Sequence, residues 1–257
     1  MIHHLNCGTM CPHVGDEIVC HVLLIEGADG LTLVDTGLGT RDIAAPRELG
    51  AVFRLVTRPR LSRDETALAQ VEALGFSAAD VRDVVVTHLD VDHAGGLPDF
   101  PGATVHVFRS EHEALMNPTF KEKPRYISHQ TAHGPSWAIH DVAGESWNGF
   151  DSVRVLGDEV LMIPLPGHTR GHSGIAVRDG DGWLLHCGDA YFHHGEIATP
   201  PSCPRTLRLF QELTSVDGKT RKANQERLRE LVRAHPGDVR TICAHDAVEL
   251  ERERGGR

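Results

Sequence analysis

Within six residues the chain sets His88, Asp90, Asp92 and His93, and it returns to the same residue types at His168, Asp189 and His245. Imidazole is the commonest metal ligand and carboxylate its hard-oxygen counterpart, so such a set could hold divalent ions and activate water for hydrolysis. Histidine is abundant, at 18 of 257 residues. Abundance selects no site; position does.

Ordered elements must fix those positions. Asp83 to Thr87 reads as a buried strand running directly into His88. A strand over 159–164 precedes Pro166-Gly167-His168-Thr169-Arg170-Gly171-His172, one over 183–186 precedes Gly188-Asp189, and one over 239–243 precedes His245. Four separate strand ends thus each present an imidazole or a carboxylate, which is where a rigid scaffold gathers ligands. A strand alternates its side chains between two faces, so 88, 90, 92 and 93 cannot converge while extended. In a tight turn entering a helix they split into two groups straddling two ions, with Ala94, Gly95 and Gly96 small enough for close backbone packing beneath.

The remaining pattern supplies the frame. Runs 18–26 and 31–35 form a hairpin across Ala28-Asp29-Gly30. Further strands are expected at 103–108, 153–156 and 174–179, with helices over 110–116 and 219–234. Ser62 and Glu65 have capping-box spacing ahead of Ala67, Val71 and Leu74, which predicts a helix over 63–74. The strands fall in two clusters with flanking helices, the arrangement of two α/β halves packed sheet against sheet. Residues 117–150 break the pattern, carrying Pro118, Pro124 and Pro135 with Trp137 and Trp147, and read as a lid or pocket wall.

Composition excludes other classes. Twenty-six basic against 36 acidic residues give a net charge of −10, which argues against binding nucleic acid. Mean hydropathy is −0.24, and no apolar run approaches the roughly 20 residues of a membrane span. Met1-Ile2-His3-His4 does not open a basic-then-apolar leader, so a cytoplasmic protein is expected. Cys7, Cys11, Cys20, Cys187, Cys203 and Cys243 show no paired spacing and are expected to be reduced thiols, with Cys7 and Cys11 buried and inert.

With these residues in view, the chain resembles the metallo-β-lactamase superfamily of metallohydrolases along nearly its whole length. The H-x-H-x-D-H pattern stands as His88-Leu89-Asp90-Val91-Asp92-His93, and the later elements as His168 in P-G-H-T-x-G-H, Asp189 in C-G-D-A and His245 in A-H-D. The early V-D-T-G turn stands as Val34-Asp35-Thr36-Gly37. The resemblance implies one domain over 1–257, a four-layer αββα sandwich of two mixed β-sheets flanked by helices, with 117–150 as a substrate-pocket insertion. It also implies two divalent ions, zinc first. One would be held by His88, Asp90 and His168, the other by Asp92, His93 and His245, with Asp189 bridging.

Residue 90 departs from the pattern, which has histidine there. Three carboxylates bring −3 where two would bring −2, and the harder ligand shifts preference toward iron or manganese. The implied reaction is attack by a metal-bridged hydroxide on a small ester, lactone or thioester, a small-molecule substrate. The alternatives are a non-haem di-iron redox protein needing a separate electron donor, and a metal-binding protein without turnover. Asp35 and Asp246 are candidates to orient ligand imidazoles. Lactone-cleaving members place a Tyr three residues after the bridging Asp, where this chain has Phe192. Candidates for proton transfer are therefore Asp92, Tyr191 and His193. His172 is expected to bond the loop backbone rather than a metal.

Overall fold

A computed structural model describes residues 1–13, 15–142 and 144–255. Among these residues, twelve strands form two six-stranded sheets. The first contains β1 (Ile2–Met10), β2 (Ile18–Glu26), β3 (Leu31–Val34), β4 (Val81–Val85), β5 (Thr104–Phe108) and β6 (Ser136–His140), in that spatial order. The second contains β7 (Glu145–Trp147), β8 (Phe150–Leu156), β9 (Val160–Pro164), β10 (Ser173–Asp179), β11 (Gly182–His186) and β12 (Val239–Ile242), again side by side in sequence order. Both sheets are mixed. In the first, β1 to β3 pair antiparallel and β3 to β6 parallel; in the second, β7 to β11 run antiparallel and β11 pairs β12 parallel.

Alternation along the strands builds the layers. Leu23 of β2 faces the second sheet and joins Val34, Val85, Phe108, Met162, Ile175, Leu184 and Ile242 in the central core. Its neighbours Val22 and Leu24 face the other way and pack with Ala67, Val71, Leu97 and Phe100. On the far side, Ile163, Ala176 and Leu185 pack against Leu228 and Leu231. Period-2 alternation with both faces apolar is what a sheet covered on both sides requires, and each fully buried Leu, Ile or Val contributes about 1.5–3 kcal/mol.

The helices are α1 (Thr40–Ala44), α2 (Ala51–Thr57), α3 (Ala67–Ala73), α4 (Val91–Ala94), α5 (Arg109–Met116), α6 (Ser128–Thr131), α7 (Arg205–Thr214), α8 (Gly218–Ala234) and α9 (Ala247–Gly255), of which α3, α5, α8 and α9 pack against the strands. The sheet-on-sheet sandwich, the hairpin and all the expected strands are present. The helix expected over 63–74 is shorter. Ser62 starts one 3-10 turn, and the α-helix begins where the Thr66 hydroxyl accepts from the Ala69 amide at 3.2 Å. Thr66 wins because its hydroxyl reaches the open amide, which Ser62 does not. All six cysteines are free, Cys7 buried as expected but Cys11 half-buried. Among the described residues no helix is long and apolar enough to cross a membrane.

Candidate metal centre

The site lies where β3, β4, β9, β11 and β12 end. Two clusters form there, His88 with His168 and Asp189, and Asp92 with His93 and His245, each with its candidate ligand atoms within 4.8 Å of one another. Asp189 faces both. Its Oδ2 lies 3.2 Å from His168 Nε2 and 3.9 Å from His88 Nε2, while its Oδ1 lies 3.1 Å from His245 Nε2 and 3.3 Å from His93 Nε2. Asp92 Oδ2 lies 3.7 Å from His245 Nε2. The turn at 88–93 therefore splits its side chains into two groups, as the spacing required.

The opposite edge of three imidazoles is held. His93 Nδ1 donates to Asp35 Oδ2 at 2.8 Å, His88 Nδ1 donates to Thr87 Oγ1 at 3.0 Å, and His245 Nδ1 donates to the Val19 carbonyl at 2.8 Å. Thr87 in turn donates from its hydroxyl to Asp35 Oδ2 and from its amide to Oδ1, both at 2.7 Å. These bonds fix the tautomer that aims each Nε2 lone pair inward. Asp35 does this from a left-handed backbone (φ 59°), a conformation that short carboxylates and amides tolerate. Asp246, also read as an orienter, instead bonds His194, at 2.8 Å from Nδ1. Its side chain is drawn away by the start of α9, where Oδ1 accepts from the Val248 and Glu249 amides.

The donor set fits divalent cations. His88 Nε2, His93 Nε2, Asp90 Oδ1 and Asp189 Oδ1 are buried with no hydrogen-bond partner, and such atoms are costly unless something binds them. Burial works to raise the Asp189 carboxyl, but His245, His93 and His168 overcome it and hold the group well below the usual range. Burial dominates at His168 and pushes it down to about 4, so that imidazole is neutral and able to ligate.

Several residues that complete the site carry no motif. Glu111 is fully buried; Oε1 accepts from the Leu89 amide at 3.0 Å, and Oε2 accepts from the Thr169 hydroxyl at 2.6 Å and the Gly171 amide at 3.1 Å. It ties the first ligand turn to the second. His172 donates from Nδ1 to the Leu165 carbonyl at 2.9 Å and accepts the Asp189 amide on Nε2 at 2.8 Å, so it positions the loop as expected. A Cβ added at Gly171 would fall on the backbone nitrogen of Glu111. Gly171→Ala should therefore cost about 1–3 kcal/mol and lower the thermal midpoint by about 2–10 °C. An unchanged midpoint in calorimetry would show that the loop can shift freely.

Arg125, from the 117–150 stretch, also reaches the centre. Its Nη1 contacts Asp90 Oδ2 and lies 3.2 Å from His168 Nε2. Burial works to raise the Asp90 carboxyl, and Arg125, then His88, reverse that and hold it well below the usual range.

Of the three candidates for proton transfer, Tyr191 is not at the site. It is fully buried in the core beneath β11, and its hydroxyl donates to Glu249 Oε1 at 3.1 Å. Its neighbour Phe192 is also buried but lies on the site side, 4.6 Å from the His245 ring between centroids. His193 sits beside it and accepts the Gly195 amide on Nδ1 at 3.0 Å, which leaves the neutral ring's proton on Nε2. Burial pushes Glu249 up to about 7, with Asp246 adding to the rise. The folded chain then holds this proton to higher pH than the unfolded one, so native stability falls as pH rises from 4.5 to 7, by roughly 3 kcal/mol. Glu249→Gln cannot titrate; its midpoint should gain on the native protein over that window, and parallel pH profiles would contradict this.

A cavity of about 420 Å³ opens beside the second cluster. Ile18, Leu55, Phe192, Leu207, Phe210 and Val248 give it an apolar lining, with His193 and His245 at its inner end. No described residue of 117–150 lines it. Sequence periodicity carried no sign of this wall, because it is assembled from five separate stretches.

The family model described as the metallo-beta-lactamase superfamily matches residues 15–241. A probable metallo-hydrolase of Mycobacterium tuberculosis is 45% identical over 249 residues, covering 95% of this chain and 80% of that protein. The N-acyl homoserine lactonase AttM of Agrobacterium fabrum is 35% identical over 206 residues, covering 77% of this chain and 76% of the lactonase. Among solved structures, a point mutant of the B. thuringiensis protein AiiA, with N-decanoyl-L-homoserine bound at its active site, superimposes with a TM-score of 0.75 at 19% identity, over 100% of this chain and 96% of that one. The chain belongs to the metallo-β-lactamase superfamily of metallohydrolases.

Proposed function

We propose that the protein is a metal-dependent hydrolase that opens the ester bond of a lactone, or cleaves a small acyl ester or thioester, whose acyl chain is apolar. The observation that carries this reading is the placement of Asp189 between the two clusters, within 3.3 Å of imidazoles from both, next to an apolar cavity. The lactonase relatives add support for the lactone. His88, Asp90 and His168 would hold one ion and Asp92, His93 and His245 the other, with Asp189 shared. Zinc suits the imidazoles, and Asp90 leaves iron or manganese open. Bound there, the ions supply Lewis acidity toward a carbonyl oxygen and a water.

The chain's own residues do the rest. The cavity beside Phe192 takes the acyl chain and sets the carbonyl at its inner end, where His193 and His245 stand. Asp92, partly exposed at the mouth of the second cluster, accepts a proton from the attacking water. His193, with its ring proton on Nε2, hydrogen-bonds the leaving oxygen, and the proton taken up by Asp92 passes to that oxygen as the acyl bond breaks. The fixed tautomers of His88, His93 and His245 keep the geometry from relaxing as charge develops.

The test is a panel of N-acyl homoserine lactones of increasing chain length, with phenyl acetate and an acyl thioester. Ring opening that improves with acyl length and stops on chelation is expected. A protein with two ions bound and no turnover of any member of the panel would overturn the reading, in favour of metal binding without turnover. A di-iron redox protein would announce itself by colour and iron content.

A further inference from the structure

Arg125 ends the short 3-10 turn Lys123–Arg125, and its side chain is only 13% exposed. The turn is tied down on both sides. Arg170 Nε donates to Glu122 Oε1 at 2.7 Å, from the loop that carries His168. Gln130 Nε2 donates to the Val91 carbonyl at 2.9 Å, within the 88–93 turn, and His129 Nε2 bonds Asp42 Oδ1 at 2.7 Å. The guanidinium is therefore delivered to the centre by a braced segment, not folded over it from the surface.

Its target is the residue at which the ligand pattern departs. Asp90 Oδ2 lies 3.0 Å from His168 Nε2 and 3.6 Å from His88 Nε2, and the same oxygen takes Arg125. Three carboxylates bring −3, and one guanidinium returns the protein's contribution to −2, the value a histidine at this position would give. An arginine suits this because it stays charged even when buried.

We propose that Arg125 is the positioning residue that makes an aspartate workable at position 90: it offsets the surplus charge and fixes Oδ2 toward His88 and His168. The proposal rests on reading the site as a metal centre. It makes positions 90 and 125 interdependent. Beside Asp90 the cation is needed; in Asp90→His the same guanidinium loses its carboxylate partner and keeps its charge beside two bound cations.

Chelator competition on metal-free protein titrated with Zn2+ tests this with four proteins: native, Asp90→His, Arg125→Met and the double variant. Asp90→His should weaken the weaker-bound ion at least ~10-fold when Arg125 is present and change it less than ~3-fold when Arg125→Met is combined with it. Equal costs in both backgrounds would overturn the proposal. Should Arg125→Met not fold, Arg125→Lys carries the test: it should keep native affinity within ~3-fold beside Asp90 and lose at least ~10-fold when combined with Asp90→His, and equal values would overturn it. A native protein that binds no Zn2+, Mn2+ or Fe2+ defeats the metal-centre reading itself, whereas native binding with independent costs defeats only the role of Arg125.

Discussion

Asp189→Asn should lower hydrolysis at least ~1,000-fold and leave the protein holding fewer ions than the native chain, because the shared ligand loses its charge while keeping its shape. The geometry makes this the most sensitive position. One carboxylate lies 3.1–3.9 Å from four imidazole nitrogens, and its own amide is fixed by His172 Nε2. An amide keeps the Oδ1 acceptor for one cluster and turns an N–H toward the other, where Nε2 lone pairs already point. The loss should therefore appear in kcat and in metal stoichiometry together. Folding should survive, since the metal-free side chain is already short of partners. Native stoichiometry with full activity in this variant would remove the bridging role.

The second large effect is at Asp35. Asp35→Asn should weaken metal binding by about 10–100-fold, as loss of an orienting carboxylate does. Oδ2 accepts from His93 Nδ1 and from the Thr87 hydroxyl, which is itself the acceptor for His88 Nδ1. One group thus sets the tautomer of an imidazole in each cluster. Asparagine tolerates the left-handed backbone at this position, so the effect reads hydrogen bonding and charge, not backbone strain. Asp35→Ala should add a loss of about 1–3 kcal/mol in unfolding free energy from the stranded Thr87 amide. The check is chelator competition beside denaturant unfolding. Unchanged affinity in Asp35→Asn would mean that the Nε2 lone pairs are aimed by packing alone.

The gathering of the candidate ligands was legible because each is local: a polar cluster abutting an apolar run marks a strand end, and four such ends in one fold converge. The layers were legible for a similar reason, since alternation in β2 already assigns Leu23 and its neighbours Val22 and Leu24 to opposite faces. What sequence could not carry is long-range pairing without a motif. Arg125 meets Asp90 across 35 positions, and Glu111 meets Gly171 across 60. Tyr191 and Phe192 sit in a turn with no period, so which of them turns toward the site depended on Glu249 offering the Tyr191 hydroxyl a buried acceptor. The Thr66 cap shows that a pattern match at Ser62 gives way to the hydroxyl that reaches an open amide.

Elemental analysis of the purified protein, paired with hydrolysis before and after exhaustive chelation, shows whether the reaction depends on a pair of bound ions. Two divalent ions per chain are expected, with activity lost when they are removed and regained on their return. A protein that carries no metal and hydrolyses its substrate at full rate after chelation would contradict this.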